Sequence, residues 1–348
     1  MEFLEVRRLN KQIAHTGSLE ELMKLRNRLH EMFHKHLSFA CKDVLYDLMN
    51  DMHDELILRA IQLAEIETEQ RTGTKPDQYA FMLLGSGGRR EQTLWSDQDN
   101  AMVYELRSEH DVFLYKTLSD IIHQNLILIG YPPCDGNVLS SNQSWRGDIA
   151  YWTSLIESCF QQPDWEHMRY ILIFSDARCI SGNAAYVDQL KNHMFAYVQE
   201  HPEHLSHLLQ NTLHRKVAKG ILGQLIREQY GEDGGGIDIK YGVYIPFVNG
   251  CRLLAIQHGI TCTSSVQRIQ ELERMLMITA VEARQWIQAM TQVLFLRAMT
   301  VHHVEHGLYS SKGILPSMWL TKERKKEIKQ CIRIAQQLEK KVKASIRY

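Results

Sequence analysis

Asp97 and Asp99 carry the clearest chemical potential in this 348-residue sequence, within the segment Ser96-Asp97-Gln98-Asp99. Residues two apart in an extended chain point to the same face, so the two carboxylates are expected to lie side by side. Neighbouring carboxylates repel one another unless a cation lies between them. Mg²⁺ takes one or two carboxylates together with substrate phosphates, and Mn²⁺ also prefers oxygen ligands. The spacing therefore predicts a divalent-metal site.

A glycine cluster, Gly85-Ser86-Gly87-Gly88, precedes the two aspartates and directly follows an apolar run. The run, Phe81-Met82-Leu83-Leu84, predicts a buried strand, and Ala101 to Tyr104 predict a second one. Because glycine has no Cβ, backbone N–H groups at Gly85 and Ser86 can approach a phosphate closely. A phosphate cradle beside a two-carboxylate metal site indicates transfer chemistry at a nucleotide phosphate.

The complete string GSGGRREQTLWSDQDNA, from Gly85 to Ala101, resembles the polymerase-β-type nucleotidyltransferase superfamily. Within that superfamily it is similar to the DUF294 family, whose relatives are the protein-PII uridylyltransferases and the glutamine-synthetase adenylyltransferases. The alternative interpretation is a glycine-rich hairpin with two solvated aspartates. The whole string, in order and between two apolar runs, favours the family.

The resemblance implies an enzyme that moves a nucleoside monophosphate from an NTP to an acceptor, a regulatory protein, with Mg²⁺ or Mn²⁺ as cofactor. In such an enzyme Asp97 and Asp99 hold the metal and serve catalysis. Arg89 either neutralises phosphate charge or anchors the loop through Glu91. The residues expected to bind the nucleotide are Gly85, Ser86, Arg89 and Ser96.

The superfamily often has a third carboxylate on a later strand, and this sequence offers two candidates. Asp135 lies in a predicted turn, Cys134 to Val138, that leads into a predicted strand, and it is the favoured third catalytic residue. Asp176 belongs to Asp176-Ala177-Arg178, which resembles an Asp-x-Arg segment of the uridylyltransferases, although a structural ion pair is the commoner use of such residues. If neither reaches the metal pair, the alternative function is a catalytically inactive nucleotide-binding signalling module on the same fold.

The second half of the sequence resembles the C-terminal substrate-binding domain of the same family, through Ile237-Asp238-Ile239-Lys240, Pro246 and a following predicted helix with Arg252. Asp238 and Lys240 would bind the substrate, or they would pair with each other on one face of an extended segment. Arg252 would bind a phosphate through its planar fork, or it would cap a neighbouring helix.

Helical spacing dominates both ends of the sequence, and strand patterns are confined to the middle third. We therefore predict an α+β fold with N-terminal helices over 1–75, a small mixed-sheet nucleotidyltransferase domain over 76–190, and a C-terminal helical bundle over 191–348 as the substrate-binding domain. Ser18 and Glu21 predict a capping box at a helix start.

Composition excludes several classes of protein. The net charge of −1 gives no basic field for nucleic acid. The seven cysteines contain no Cys-x-x-Cys pair, so neither a disulfide framework nor a zinc ribbon is predicted. No apolar run approaches a membrane span, and the N-terminal segment lacks the apolar core of a signal peptide. We expect a cytoplasmic protein whose partners are an NTP and an acceptor protein, with no nucleic-acid or membrane partner.

Two histidine pairs are spaced four residues apart, His30 with His34 and His302 with His306. Either pair could share a metal ion on one helix face. Because no third ligand is placed near them, we expect a solvated helix face for the first pair and a helix end for the second.

Overall fold

The computed structural model describes residues 2–36, 42–212, 225–228, 234–305 and 308–346. The chain forms two compact units. The first unit consists of Met1–Leu155, Asp176–Leu190 and Val304–Ser310, and the second consists of Ile156–Ser175, Lys191–His303 and Ser311–Tyr348.

Three helices precede the sheet of the first unit: α1 (Glu2–Ile13), α2 (Leu19–His36) and α3 (Lys42–Thr72). The predicted capping box is present at the start of α2, where the Glu21 N–H donates to Ser18 Oγ at 3.3 Å and the Gly17 N–H donates to Glu21 Oε2 at 3.2 Å. Helix α3 ends at Gly73, whose φ of +72° suits glycine. The apolar face of α3 packs on a later helix, α5 (Glu109–Leu128).

The sheet lies in the middle of the chain and contains β1 (Tyr79–Leu83), β2 (Asn100–Tyr104), β3 (Arg146–Asp148) and β4 (Arg178–Gly182). The strand order is β3-β2-β1-β4, and only the β2–β3 pair is parallel. Every residue of β1 and β2 is buried, as expected for central strands covered on both faces. This mixed sheet between helical ends confirms the predicted α+β class and both predicted strands.

The strand predicted after Cys134 is not among the described elements. Instead, Pro133 forms a single bridge with Gln98, and one hydrogen bond joins the Asn100 N–H to the Val138 carbonyl at 3.0 Å. Proline has no N–H to donate to a ladder, and Asn137 turns the chain with a φ of +52°. This part of the prediction was wrong because these local features interrupt the pairing.

The second unit is mainly helical, with α7 (Trp165–Phe174), α9 (His204–Thr212), α10 (Ile245–Gln257), α11 (Ser265–Arg274), α12 (Ala280–Ala298) and α13 (Lys322–Ile346). Helices α10, α12 and α13 pack together around its core. The connecting helices are α6 (Ile149–Gln161) and α8 (Ala184–Glu200). A short strand pair, β5 (Ile237–Asp238) with β8 (Ile314–Leu315), also belongs to this unit. A further pair, β6 (His303–Glu305) with β7 (Leu308–Ser310), belongs to the first unit except for His303.

The structure describes three members of the two histidine pairs, namely His30, His34 and His302. His30 is buried, with its ring centroid 5.0 Å from that of Trp95, whereas His34 is exposed. A solvated face was therefore wrong for His30. His302 lies between α12 and β6 and belongs to neither a helix nor a strand, and His306 lies outside the described residues. In the described part of the chain, no helix combines the length and apolarity that crossing a bilayer requires.

Candidate active site

The glycine cluster forms a single helical turn, α4 (Gly85–Gly88), that follows β1 directly. Gly85 has a φ of +51°, and a Cβ at this position would lie 2.4 Å from Asp99 Oδ2. A Cβ at Gly88 would lie 2.0 Å from the Asp176 carbonyl oxygen. Only glycine fits both positions without displacement of these neighbours. The first N–H groups of a helix have no hydrogen-bond partner within the helix. In α4 these groups lie at the end where Gly85 is next to the Asp99 carboxylate.

Asp97 and Asp99 lie in an extended segment immediately before β2. The Gln98 N–H donates to the Pro132 carbonyl at 2.9 Å, and the Leu84 N–H donates to the Asp99 carbonyl at 2.9 Å. Both aspartates line one small cavity. Asp97 is exposed and Asp99 is half-buried. The alternation of an extended chain thus brings both residues to the same space, beside α4.

Cys134 lies against the aspartate pair. Its thiol contacts the Asp99 carboxylate, and the Val138 N–H donates to its Sγ at 3.3 Å. Burial, followed by the negative charges of Asp99 and Asp97, raises the pKa of Cys134 to about 12. The thiol is therefore protonated at neutral pH and can donate a hydrogen bond to the carboxylate.

Arg89, directly after α4, is buried between two carboxylates. Its Nε donates to Glu91 Oε2 at 2.8 Å, and its Nη1 pairs with Asp176 Oδ2. The side chains of Arg89 and Asp176 are 3% and 0% exposed. These contacts provide the loop-anchoring role that was one of the two expectations for Arg89. Its phosphate-binding role stays a prediction.

The two candidates for a third carboxylate lie in different surroundings. Asp176 faces Arg89 in the protein interior, whereas Asp135 lies in an exposed turn directly after Cys134. No group of three or more His, Cys, Asp and Glu side chains in the described ranges could hold a metal ion. The aspartate pair thus has no third protein carboxylate as a ligand among these residues. A role for Asp135 would be that of a base rather than a ligand.

Ser96 closes a tight turn ahead of the aspartates. Its Oγ accepts from the Thr93 N–H and donates to the Thr93 carbonyl, both at 3.0 Å. The same carbonyl accepts from Nε2 of buried His53 at 3.0 Å, and His53 Nδ1 contacts the Tyr131 hydroxyl at 2.7 Å. Burial, with the charge of Arg26, lowers the pKa of His53 to about 3, so this histidine is neutral. The predicted contact of Ser96 with the nucleotide stays a prediction.

A second group of ion pairs borders the carbonyl end of α4, and it was not predicted. Asp54 of α3 pairs with Arg178 at 2.7 Å and also with Arg90. Arg178 donates in addition to the carbonyls of Gly87 and Gly88. Arg178 is part of the Asp-x-Arg motif. The carboxylate partner of Arg178, Asp54, lies 124 positions away in the sequence. No local pattern could have identified that partner.

The three residues predicted to bind substrate lie in one continuous segment of the second unit. Asp238 is buried and its Oδ1 accepts from the Tyr241 N–H at 2.8 Å. The Lys240 ammonium lies 5.4 Å from the centre of the Tyr241 ring. Arg252 is buried and its Nη1 donates to Asn249 Oδ1 at 2.8 Å. These contacts are local, and the substrate-binding role of the three residues stays a prediction.

The donor set beside α4 suits a hard divalent cation. Asp97 and Asp99 supply carboxylate oxygens, and the exposed side of Asp97 leaves room for phosphate and water ligands, as Mg²⁺ requires. Soft thiolate and imidazole ligands favour Zn²⁺ and copper, whereas the two side chains that line this cavity with charged groups are carboxylates. The residues present therefore fit Mg²⁺ or Mn²⁺ better than Zn²⁺ or copper.

Two family profiles match the chain. Residues 24–166 match the family described as putative nucleotidyltransferase DUF294, and residues 202–346 match a putative nucleotidyltransferase substrate binding domain of the same family. The first match contains α4, the aspartate pair and Asp135, and the second contains the segment from Asp238 to Arg252. No curated protein matches the chain.

Proposed function

The chain belongs to the DUF294 family of nucleotidyltransferases, and on this premise we propose that it moves a nucleoside monophosphate from an NTP to an acceptor protein, with Mg²⁺ or Mn²⁺ as cofactor. The proposal rests on one observation, that Asp97 and Asp99 line the same cavity beside the α4 turn. A backbone phosphate cradle next to two carboxylates is the minimum equipment for this reaction.

Each group at the site has a distinct task in this mechanism. The first N–H groups of α4 donate to oxygens of the triphosphate. Asp97 and Asp99 hold the metal ion, which when bound neutralises phosphate charge. The acceptor oxygen forms a bond to the α-phosphorus, the bond between the α- and β-phosphates breaks, and pyrophosphate leaves with the electron pair. Asp135 takes the proton of the acceptor.

Recognition of the acceptor is assigned to the second unit, on the basis of the match of residues 202–346 to a substrate binding domain. Asp238, Lys240 and Arg252 place a carboxylate, an ammonium and a guanidinium group within one segment, and of these side chains only that of Lys240 is not buried. Such groups select a partner by complementary charge more than they add affinity.

Transfer can be tested with the four NTPs, each labelled at the α-phosphate, together with Mg²⁺ and a lysate of the host cell. We expect one NTP to label a protein band covalently. The label should be absent with the Asp97→Asn/Asp99→Asn double variant, because without either carboxylate the metal is not held. Equal labelling by the double variant would refute the assignment of the site.

A nucleotide-binding module without catalysis is the second candidate, since no third carboxylate joins the aspartate pair as a ligand in the described ranges. Asp135→Asn distinguishes the two functions. An enzyme that uses Asp135 as its base keeps its NTP affinity in this variant but loses transfer by about 10²–10⁴-fold. If the wild-type protein binds Mg–NTP and labels no protein, the nucleotide-binding module without catalysis is supported.

A further inference from the structure

Arg178 holds the carbonyl end of the α4 turn. The last carbonyls of a helix have no partner within it, and in α4 those of Gly87 and Gly88 accept from Arg178 at 2.9 and 3.3 Å. The position of Arg178 follows from the sheet, because it begins β4 and lies opposite Leu83 at the end of β1. Strand β1, which leads into α4, therefore pairs with β4, which begins with Arg178.

Asp54 orients the guanidinium of Arg178. Its two carboxylate oxygens accept from Nη1 at 3.1 Å and from Nη2 at 2.7 Å, which is a bidentate contact. With the two carbonyls, four of the five guanidinium N–H groups are engaged. Lysine has no planar fork and only three donors, so it cannot reproduce this set of contacts.

The ion pair between Arg178 and Asp54 is partly shielded from water. The side chains of Arg178 and Asp54 are 22% and 15% exposed, so water screens their attraction less than at an open surface. Asp54 pairs in addition with Arg90, which follows α4 in a left-handed conformation with a φ of +55°. One carboxylate of α3 thus restrains both the turn and the chain that leaves it.

We propose that Asp54 and Arg178 are positioning residues that keep α4 in the conformation that binds the triphosphate. Neither belongs to the cavity lined by Asp97 and Asp99, so they act through the backbone of α4 rather than on the nucleotide. Donors that are already oriented need no reorganisation when the phosphate arrives. This inference rests on the proposed function, and it extends that function to residues on α3 and β4.

The test compares Asp54→Asn, Arg178→Lys and the double variant with Arg59→Lys. Arg59 is a matched control, because it also lies on α3 and donates to a backbone carbonyl, but that carbonyl belongs to Thr16, at 2.7 Å, rather than to α4. Calorimetry measures the affinity for Mg–ATP, Mg–GTP, Mg–CTP and Mg–UTP. Hydrogen–deuterium exchange reports the protection of residues 85–91, and thermal unfolding shows that each variant is folded at the assay temperature.

We expect each single variant to bind the preferred Mg–NTP about tenfold more weakly or worse, from the loss of hydrogen bonds to charged groups. The double variant should lose less affinity than the sum of the two single losses, because part of the effect of Asp54 acts through Arg178 and the rest through Arg90. Exchange at residues 85–91 should be faster in these variants and unchanged in Arg59→Lys.

The outcomes separate the two proposals. If the wild-type protein binds none of the four Mg–NTPs, the proposed function fails and the positioning role fails with it. If the wild-type protein binds and the Asp54 and Arg178 variants bind equally well, only the positioning role is wrong. Losses that add in the double variant would also overturn it. Should Asp54→Asn fail to fold, the affinity and exchange of Arg178→Lys decide the question.

Discussion

At the scale of single residues, the aspartate pair and Cys134 form one electrostatic group. Asp99 lies between Gly85 and the Cys134 thiol, and its charge adds to burial in keeping that thiol protonated. A cation held by the two aspartates would offset their mutual repulsion. The chemistry of each of these side chains therefore depends on the charge of the others, which gives two ways to probe the site.

Binding of Mg–NTP should be lost when both aspartates become asparagine. Asparagine keeps the size of the side chain but removes the negative charge that attracts a divalent cation. Titration calorimetry with and without Mg²⁺ measures the effect. Asp77→Asn is a suitable control, since Asp77 lies in an exposed pair with Arg107. Mg²⁺-dependent binding of wild-type strength in the double variant would exclude this metal site.

The same double variant should make Cys134 more reactive. Removal of the two negative charges lowers the pKa of the thiol and increases the fraction of thiolate, which is the reactive form. Alkylation by iodoacetamide at pH 8.5, followed by mass spectrometry of the peptides, measures the rate. Cys179 serves as the internal control, because its raised pKa arises chiefly from burial and not from Asp97 or Asp99. An unchanged rate at Cys134 would contradict its contact with the pair.

At the scale of elements, the β1–α4 connection is tightly enclosed. Backbone atoms lie so close to Gly88 that any side chain there would collide with the Asp176 and Leu83 carbonyl oxygens. Arg89 and Arg178 hold the turn from two directions, through Asp176 and through Asp54. These contacts hold the α4 turn against the ends of β1 and β4.

Gly88→Ala should destabilise the protein by about 1–3 kcal/mol, because the new methyl group requires a backbone shift in a packed region. Gly17→Ala is the matched control, since nothing lies within 4 Å of a Cβ at that position. Urea unfolding of both variants measures the free energy of unfolding. A loss at Gly88 no larger than that at Gly17 would show that α4 adapts easily.

At the scale of the whole molecule, the first unit gathers segments that are far apart in sequence. His53 of α3 joins the Thr93 carbonyl to the Tyr131 hydroxyl, and so connects the N-terminal helices with the loop before the aspartates. Because His53 is buried and neutral, its contribution to the free energy of unfolding depends on pH.

Stability should fall as pH falls below about 6.5. The folded-state pKa of His53 is lowered from 6.5 to about 3, so between these values the unfolded state binds the proton and the folded state does not. The stabilisation is complete above pH 6.5 and decreases by up to about 1.4 kcal/mol per pH unit below it. Urea unfolding at pH 7 and pH 5.5 should show a smaller cost of His53→Gln at the lower pH. His34→Gln, at an exposed position, should show no such difference.

The sequence by itself determined the parts of this protein that depend on neighbours in the chain. The apolar runs before and after the motif predicted β1 and β2, because a buried strand needs only a short continuous apolar segment. The glycine cluster and the Asp97–Asp99 spacing predicted phosphate and metal chemistry from one turn and one extended segment, and that chemistry stays a prediction.

Only the tertiary structure decided which distant residues meet at that motif. The order β3-β2-β1-β4 brings Asp176 and Arg178 to α4, and the packing of α3 brings Asp54 and His53 to the same region. Charge and hydrogen-bond partners act at a distance of a few ångströms in space, irrespective of their separation in sequence. Local spacing therefore predicted where the aspartates lie. It did not predict the contacts that Arg89 and Arg178 make around α4, the neutral state of His53 or the protonated state of Cys134.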